Sequence, residues 1–246
     1  MPSVRLPGPL CRVLGAFEID AGTLCRAASS RPGSAGAAPM RSTKKLSPPA
    51  QTKLSAADFN AAAASFGEGI DPLLIRAFAE VESGGKSGFG ASGLPVIAFE
   101  GHIFRRLTGK KFDQDHPFLS YRYKVKAGPE WKKNNQNQTK AWETLNAAIA
   151  LDESAALQSC SWGMFQVMGF NFKMCSYASV GAFVAAMKAG ERGQLNAFVG
   201  FCKSTRGMVA ALRAKNFAVM AALYNGADYG DYDRRIERAY KKHGGL

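Results

Sequence analysis

The sequence predicts a mainly α domain of the α+β kind, with one small β element, preceded by a low-complexity extension. Three observations carry this prediction. Of the 246 residues, 46% are hydrophobic, enough to bury a sizeable core. From Ser55 onward, apolar positions recur mostly at helical spacing between recognisable capping signals. A single short β-branched segment, LPVIAFE (Leu94–Glu100), stands between glycines and reads as an edge strand or hairpin arm.

In chain order, residues 1–50 are rich in Gly, Pro, Ser, Ala and Arg, lack sustained periodicity and end in the turn-prone KKLSPPA, so they read as a disordered extension. The ordered domain is expected over 55–246. SAADFNAAAASFG starts at an N-cap serine and is closed by Gly67 and Gly69. DPLLIRAFAEVES has Asp71 as N-cap and Pro72 at its first helical position, and it stops at Gly84-Gly85. Residues 105–135 form a polar, turn-rich stretch. Helices are then expected at about 138–150, 153–158, 162–168, 177–189, 193–203, 206–214, 216–224 and 231–242. The last is basic and amphipathic, with Tyr232, Ile236, Ala239 and Tyr240 on one side, and is expected to pack as a terminal helix.

The formal charge of +13 favours anionic partners such as nucleic acid, anionic lipid, lipopolysaccharide or acidic cell-wall polymer, without choosing among them. The five cysteines (Cys11, Cys25, Cys160, Cys175 and Cys202) are scattered, with no C-x-x-C and only three histidines in the chain. Reduced, mostly buried thiols are expected, with no metal and no cofactor. No apolar run approaches a membrane span, and prolines and acids interrupt the start where a signal peptide needs an apolar stretch. Soluble, cytoplasmic synthesis and a monomer are expected.

The segment IRAFAEVESGG holds two glutamates. At about 100° per residue from Ile75, Ala79 falls near about +40°, Phe78 near about −60° and Glu82 near about −20°, in the middle of the apolar face. Glu80 falls near about 140°, beside Arg76, where an i, i+4 ion pair on a wet surface is expected. A carboxyl on an apolar face at a helix end loses solvation, which keeps it protonated near neutral pH. That is what a general acid needs in order to protonate the leaving oxygen of a glycoside. The alternative is a structural carboxyl paired with a buried arginine or capping a neighbouring helix.

Two later segments suit the same chemistry. CSWGMFQVMGFN (Cys160–Asn171) sets Gly163 and Gln166 among Trp162, Phe165 and Met168, a composition fit for stacking on a sugar face and bonding its substituents. AALYNGADY (Ala221–Tyr229) ends a helix with Tyr224, Asn225 and Gly226, offering a phenol and an amide. Taken singly, the first reads more readily as core than as a substrate wall, and the second as an ordinary helix end.

In order, A-x-V-E-S, S-W-G-M-F-Q-V-M and A-A-L-Y-N-G resemble the three motifs of the goose-type lysozyme and soluble lytic transglycosylase superfamily. The run from about Ser55 to Leu246, with VESGG, PVIAFEGHIF and a basic Y-R-Y stretch, is similar to the N-acetylmuramidase domain of phage endolysins. The resemblance implies a lysozyme-like helical fold and cleavage of peptidoglycan glycan strands at the β-1,4 bond between N-acetylmuramic acid and N-acetylglucosamine. It further implies Glu82 as catalytic acid and Ser83, Gly163, Gln166, Tyr224 and Asn225 as substrate-cleft residues. It also implies accumulation in the host cytoplasm and access to the wall once a separate pore protein opens the membrane.

The reaction needs a second group, and Glu100, at the end of PVIAFE, is the nearest carboxylate with a defined setting. Asp113, Asp115 and the substrate's own acetamido group are the alternatives, and an ion pair with Arg105 or Arg106 is the structural reading of Glu100. His102 reads as a hydrogen-bonding spacer. Two other functions compete: a lytic transglycosylase, and a non-enzymatic nucleic-acid binder. The second is suggested by nine basic and three acidic residues between Arg105 and Lys133, interleaved with Phe112, Phe118, Tyr121, Tyr123 and Trp131. The favoured partners are peptidoglycan and anionic outer-membrane or wall polymers, with no nucleic acid.

Overall fold

The computed structural model describes residues 53–124 and 127–246. The extension expected over residues 1–50, with Cys11 and Cys25, lies outside the described residues. Among those described, helices surround a three-stranded antiparallel sheet, so the mainly α prediction holds. No helix is long and apolar enough to cross a membrane among the described residues.

The first two helices form where their caps place them. α1 (Ala56–Ser65) opens with a reciprocal capping box: Asp58 N–H donates to Ser55 Oγ at 3.3 Å, and Ser55 N–H donates to the Asp58 carboxylate at 2.8 Å. α2 (Pro72–Ser83) is capped by Asp71, which accepts from Leu73 N–H at 2.9 Å, and is ended by Gly84 in the left-handed region at φ 63°. Its buried face includes Leu74, Ile75, Phe78, Ala79 and Glu82. The helical wheel therefore assigned Glu82 to the inner face as the structure does.

The sheet is where expectation and structure part. β1 (Ile97–Phe99) pairs with β2 (Cys160–Trp162), which pairs with β3 (Val167–Met168), in the order β1-β2-β3. The helix expected over 162–168 is instead the β2–β3 hairpin. Gly163 at φ 69° and Gln166 at φ 48° leave the helical region, and a run buried on both sides has no periodicity to separate strand from helix.

β1 is an edge strand whose free side meets two side-chain amides in place of a fourth strand. Asn135 Oδ1 accepts from Phe99 N–H at 2.7 Å, and its Nδ2 donates to Phe99 C=O at 3.0 Å. Gln138 does the same for Ile97, with both bonds at 2.9 Å. The strand's outward peptide groups are thereby satisfied, and the edge is closed to further pairing.

The stretch read as polar and turn-rich contains two short helices, α3 (Gly101–Leu107) and α4 (Pro129–Asn134). The remaining helices are α5 (Gln138–Ile149), α6 (Glu153–Gln158), α7 (Val180–Ala189), α8 (Glu191–Ser204), α9 (Met208–Arg213), α10 (Phe217–Asn225) and α11 (Tyr232–Lys242). They follow the expected positions to within a few residues at their ends.

The core centres on aromatic rings from four helices and the hairpin. Phe165 stacks on Phe198 at 4.5 Å between centroids, and Phe78 lies 5.3 Å from Phe198 and 5.2 Å from Tyr224. α11 packs on α2 through Tyr232, Ile236, Ala239 and Tyr240, the face read from the sequence. Cys160, Cys175 and Cys202 are free, buried thiols, and burial pushes Cys175 up to about 12.

Replacing Asn135 with alanine leaves the Phe99 N–H and C=O without their partners. Each buried group so exposed is expected to cost about 1–3 kcal/mol, read as a lower urea midpoint at unchanged slope.

Candidate active site

A cavity of about 530 Å³ opens where the end of α2, the loop after it, β1, the α4–α5 junction and the β2–β3 turn converge. Glu82 and Glu100 both line it.

Glu82 sits in the last turn of α2 and is 4% exposed. Two groups from α11 attend it: the Tyr232 hydroxyl donates to Oε1, and the Arg235 guanidinium acts through its charge. Both favour the carboxylate, yet desolvation outweighs them and pushes the carboxyl up to about 7. The other oxygen, Oε2, has no hydrogen-bond partner among the described residues. Among the described residues, no cation forms a close ion pair with this carboxyl, and burial dominates. Glu80 has the opposite fate, on the outer face, but it does not pair with Arg76 as expected. It meets Lys242 Nζ at 2.7 Å and His243 Nε2 at 2.8 Å, because α11 brings its own cations across α2.

Glu100 ends β1 and precedes α3, and it is 8% exposed. Trp131 Nε1 donates to its Oε1 at 3.0 Å, and His102 Nδ1 lies 3.4 Å from its Oε2. The ion pair with Arg105 or Arg106 does not form. Arg105 Nη2 lies 2.8 Å from Asp113, and the Arg106 guanidinium lies over the Phe170 ring at 5.5 Å. Asp113 also accepts from Ser120 Oγ at 2.5 Å, and that hydrogen bond, aided by Arg105, holds it below the usual carboxylate range. Neither Asp113 nor Asp115 lines the cavity. Tyr121, whose hydroxyl accepts from Gly101 N–H at 3.2 Å, has its own ionisation pushed up by burial and then by the charge of Glu100.

Of the other sequence-derived residues, Ser83, Gly163 and Gln166 line the cavity, whereas Tyr224 and Asn225 do not. Ser83 Oγ donates to Ala79 C=O at 2.6 Å. Gln166 is bonded on both ends of its amide, accepting from Ser161 Oγ at 2.7 Å and donating to Gly163 C=O at 2.8 Å. Gly163 faces Gln194 so closely that a Cβ on it would fall 2.4 Å from Gln194 Cδ. Tyr224 is fully buried behind the turn, and its hydroxyl donates to Phe165 C=O at 2.6 Å. It holds the cavity wall from within. Asn225 ends α10 and is buried.

Several residues in or against the site had no separate signal in the sequence. Trp131 was legible only as one ring in a basic, aromatic stretch, and Tyr232 only as part of an apolar helix face. Asn135, Gln138 and Lys86 line the cavity from segments with no recognisable motif. Among the described residues, no group of three or more His, Cys, Asp and Glu side chains could hold a metal ion.

The family model for N-acetylmuramidase matches residues 71–244, from the N-cap of α2 to just beyond α11. A comparison with curated proteins finds no significant match. Among solved structures, the crystal structure of the Burkholderia AP3 phage endolysin is similar, with a TM-score of 0.66 and 38% sequence identity. That similarity covers 78% of this chain and 71% of the endolysin. Because the family match spans most of the chain, including both cavity carboxylates and the helix that braces Glu82, the protein belongs to the N-acetylmuramidase family and is a glycoside hydrolase.

Proposed function

We propose that this muramidase cleaves the β-1,4 bond between N-acetylmuramic acid and N-acetylglucosamine by hydrolysis, with Glu82 as general acid, in phage-type lysis of a bacterial host. The observation that carries this reading is a carboxyl buried in the wall of an open cavity, shifted to about 7, with one oxygen unpartnered. Such a group holds its proton near neutral pH and gives it up to a leaving oxygen. As the C–O bond breaks, its electron pair stays on that oxygen, which takes the Glu82 proton. The resulting Glu82 carboxylate is stabilised by Tyr232 and Arg235, the two groups that favour its charged form. The sugar left behind carries oxocarbenium character, and Glu100 faces the same cavity as the carboxylate that supports it or activates the attacking water. Trp131 and His102 fix the orientation of Glu100 for that task.

The net charge of +13 suits an anionic wall, and Lys86 adds a cation to the cavity rim. The endolysin resemblance supports action on the wall from the host cytoplasm, after the membrane has been opened. Two rings of the basic stretch are committed elsewhere than to stacking on bases: Phe112 stacks on Phe104, and Trp131 is bonded to Glu100 in the cavity wall.

Glu82→Gln is expected to lower turbidity clearance of peptidoglycan by roughly 10² to 10⁴-fold with an unchanged circular dichroism spectrum. Near-normal clearance would sink the assignment. Mass spectrometry of the released muropeptides is expected to show reducing ends. A majority of 1,6-anhydro ends would instead identify a transglycosylase.

Stability should also record the buried acid. The folded-state pKa of Glu82 lies above its ordinary value of 4.5, so the folded protein binds that proton more tightly than the unfolded chain does. This contribution is fully present below about pH 4.5 and is lost as pH rises to about 7, on the order of 3 kcal/mol in total. Unfolding midpoints measured across that window are expected to fall with pH in the parent and to lose this component in Glu82→Gln.

A further inference from the structure

The neutral polar side chains of the cavity are already engaged within the protein. The hydroxyls of Ser83, Ser87 and Ser161 donate to Ala79 C=O, Glu191 and Gln166, and the Trp131 indole donates to Glu100. The amides of Asn135, Gln138 and Gln166 are bonded at both ends. Among side chains, what remains for a ligand is charge: the carboxyl groups of Glu82 and Glu100, and Lys86, the one cationic residue that lines the cavity among the described residues. Lys86 is exposed, and no described residue forms a hydrogen bond or ion pair with its ammonium. We propose that Lys86 is a specificity-determining residue that pairs with a carboxylate carried by the muramoyl sugar, so that the site takes anionic muramoyl glycan in preference to neutral poly-N-acetylglucosamine. This deepens, and rests on, the reading of the cavity as a muramidase site.

The turn that carries Lys86 is anchored on both sides, and only the lysine side chain is left without a partner. Gly84 and Gly85, at φ 63° and 75°, reverse the chain beyond the acid in a conformation that residues with a Cβ rarely adopt. Gly85 N–H donates to Glu80 C=O at 3.0 Å and Lys86 N–H to Ser83 C=O at 3.3 Å, so α2 itself fixes the start of the turn. Glu191 holds its end. That carboxylate is 2% exposed and accepts from Ser87 Oγ, Gly88 N–H and, at 3.0 Å, Leu54 N–H. Lys86 is thereby kept at the cavity just past the acid, on a flexible four-carbon stem that lets its ammonium follow a ligand. N-acetylmuramic acid differs from N-acetylglucosamine by a lactyl ether whose carboxyl is either free or joined to the stem peptide, which carries carboxylates of its own. Such a strand brings negative charge to a cavity that already holds two carboxyl groups, and Lys86 is the counter-charge there. A neutral strand gives the ammonium nothing to pair with.

The test is equilibrium binding to the Glu82→Gln enzyme, in which the fragments are not consumed, with and without Lys86→Met or Lys86→Arg. Three soluble oligosaccharides of equal length serve as probes: poly-N-acetylglucosamine, the alternating muramoyl strand with free lactyl carboxylates, and the same strand with peptide stems. Lys86→Met keeps the length of the side chain and removes its charge. It is expected to raise Kd for an anionic probe about 5-fold, the upper end for a solvent-exposed ion pair, and to leave the neutral probe unchanged. Lys86→Arg is expected to retain the preference, and high salt to erase it. A loss on the peptide-free strand identifies the lactyl carboxylate as the ligand, and a loss confined to the peptide-bearing strand identifies the stem; either supports the proposal. Any other pattern, whether equal effects on all three probes or none, overturns it. Cleavage of the muramoyl fragments by the Glu82→Gln enzyme overturns the underlying reading of the acid instead, so the two failures are distinguishable.

Discussion

The site depends on one carboxyl held out of water without a close cation beside it. Glu82 lies on the inner face of α2, and what seals it there is α11, a helix about 150 residues later in the chain. Were that helix to bring a guanidinium into contact with the carboxyl, the acid would ionise well below neutrality and could not donate a proton at pH 7. It brings a phenol instead, and it spends its nearby arginine on the carbonyl of Val81. Its remaining anchors, Tyr240 on Asp71 and Lys242 on Glu80, lie away from the acid and fix the helix without charging the site.

The opposite wall is built by amides rather than by a larger sheet. Asn135 and Gln138 occupy the outer edge of β1, so three short strands behave as part of a wider sheet. Gln194 performs a similar task below. It accepts from Met164 N–H at 2.7 Å and donates to Gly88 C=O at 3.3 Å, drawing the loop after α2 toward the hairpin turn. Gly88 and Gly163 permit that approach, since a side chain at either would collide with Gln194. Glu191, one turn earlier on α8, accepts from Ser87 Oγ at 2.6 Å and Gly88 N–H at 3.2 Å, tying the same loop down. One helix thus sets the spacing of two cavity walls through four polar contacts.

The two carboxylates of the cavity therefore have different environments on a common surface. Glu82 is unpaired, desolvated and braced by a phenol. Glu100 is braced by an indole and an imidazole, while the nearby arginines are taken by Asp113 and by the Phe170 ring. On the proposed reading, that difference in environment is what lets two similar carboxyl groups serve as acid and helper.

Much of this was legible in the residues. Caps at Ser55 and Asp71, the helical wheel of α2, the buried face of α11 and the ordered series of three motifs are local properties, set by spacing within a few turns of chain. They sufficed to place Glu82 inside and Glu80 outside, and to point to the family. The β2–β3 hairpin was not legible, because a segment buried on both sides has no polar face to mark its period. Nor was the engagement of Arg105 by Asp113, or the withdrawal of Tyr224 behind the wall. What the sequence determined by itself is which side chains each helix turns inward. Only the tertiary structure decided what meets them there, since the partners of Glu82, Glu100 and Gly163 come from elements some 30 to 150 residues away, where no local pattern reaches.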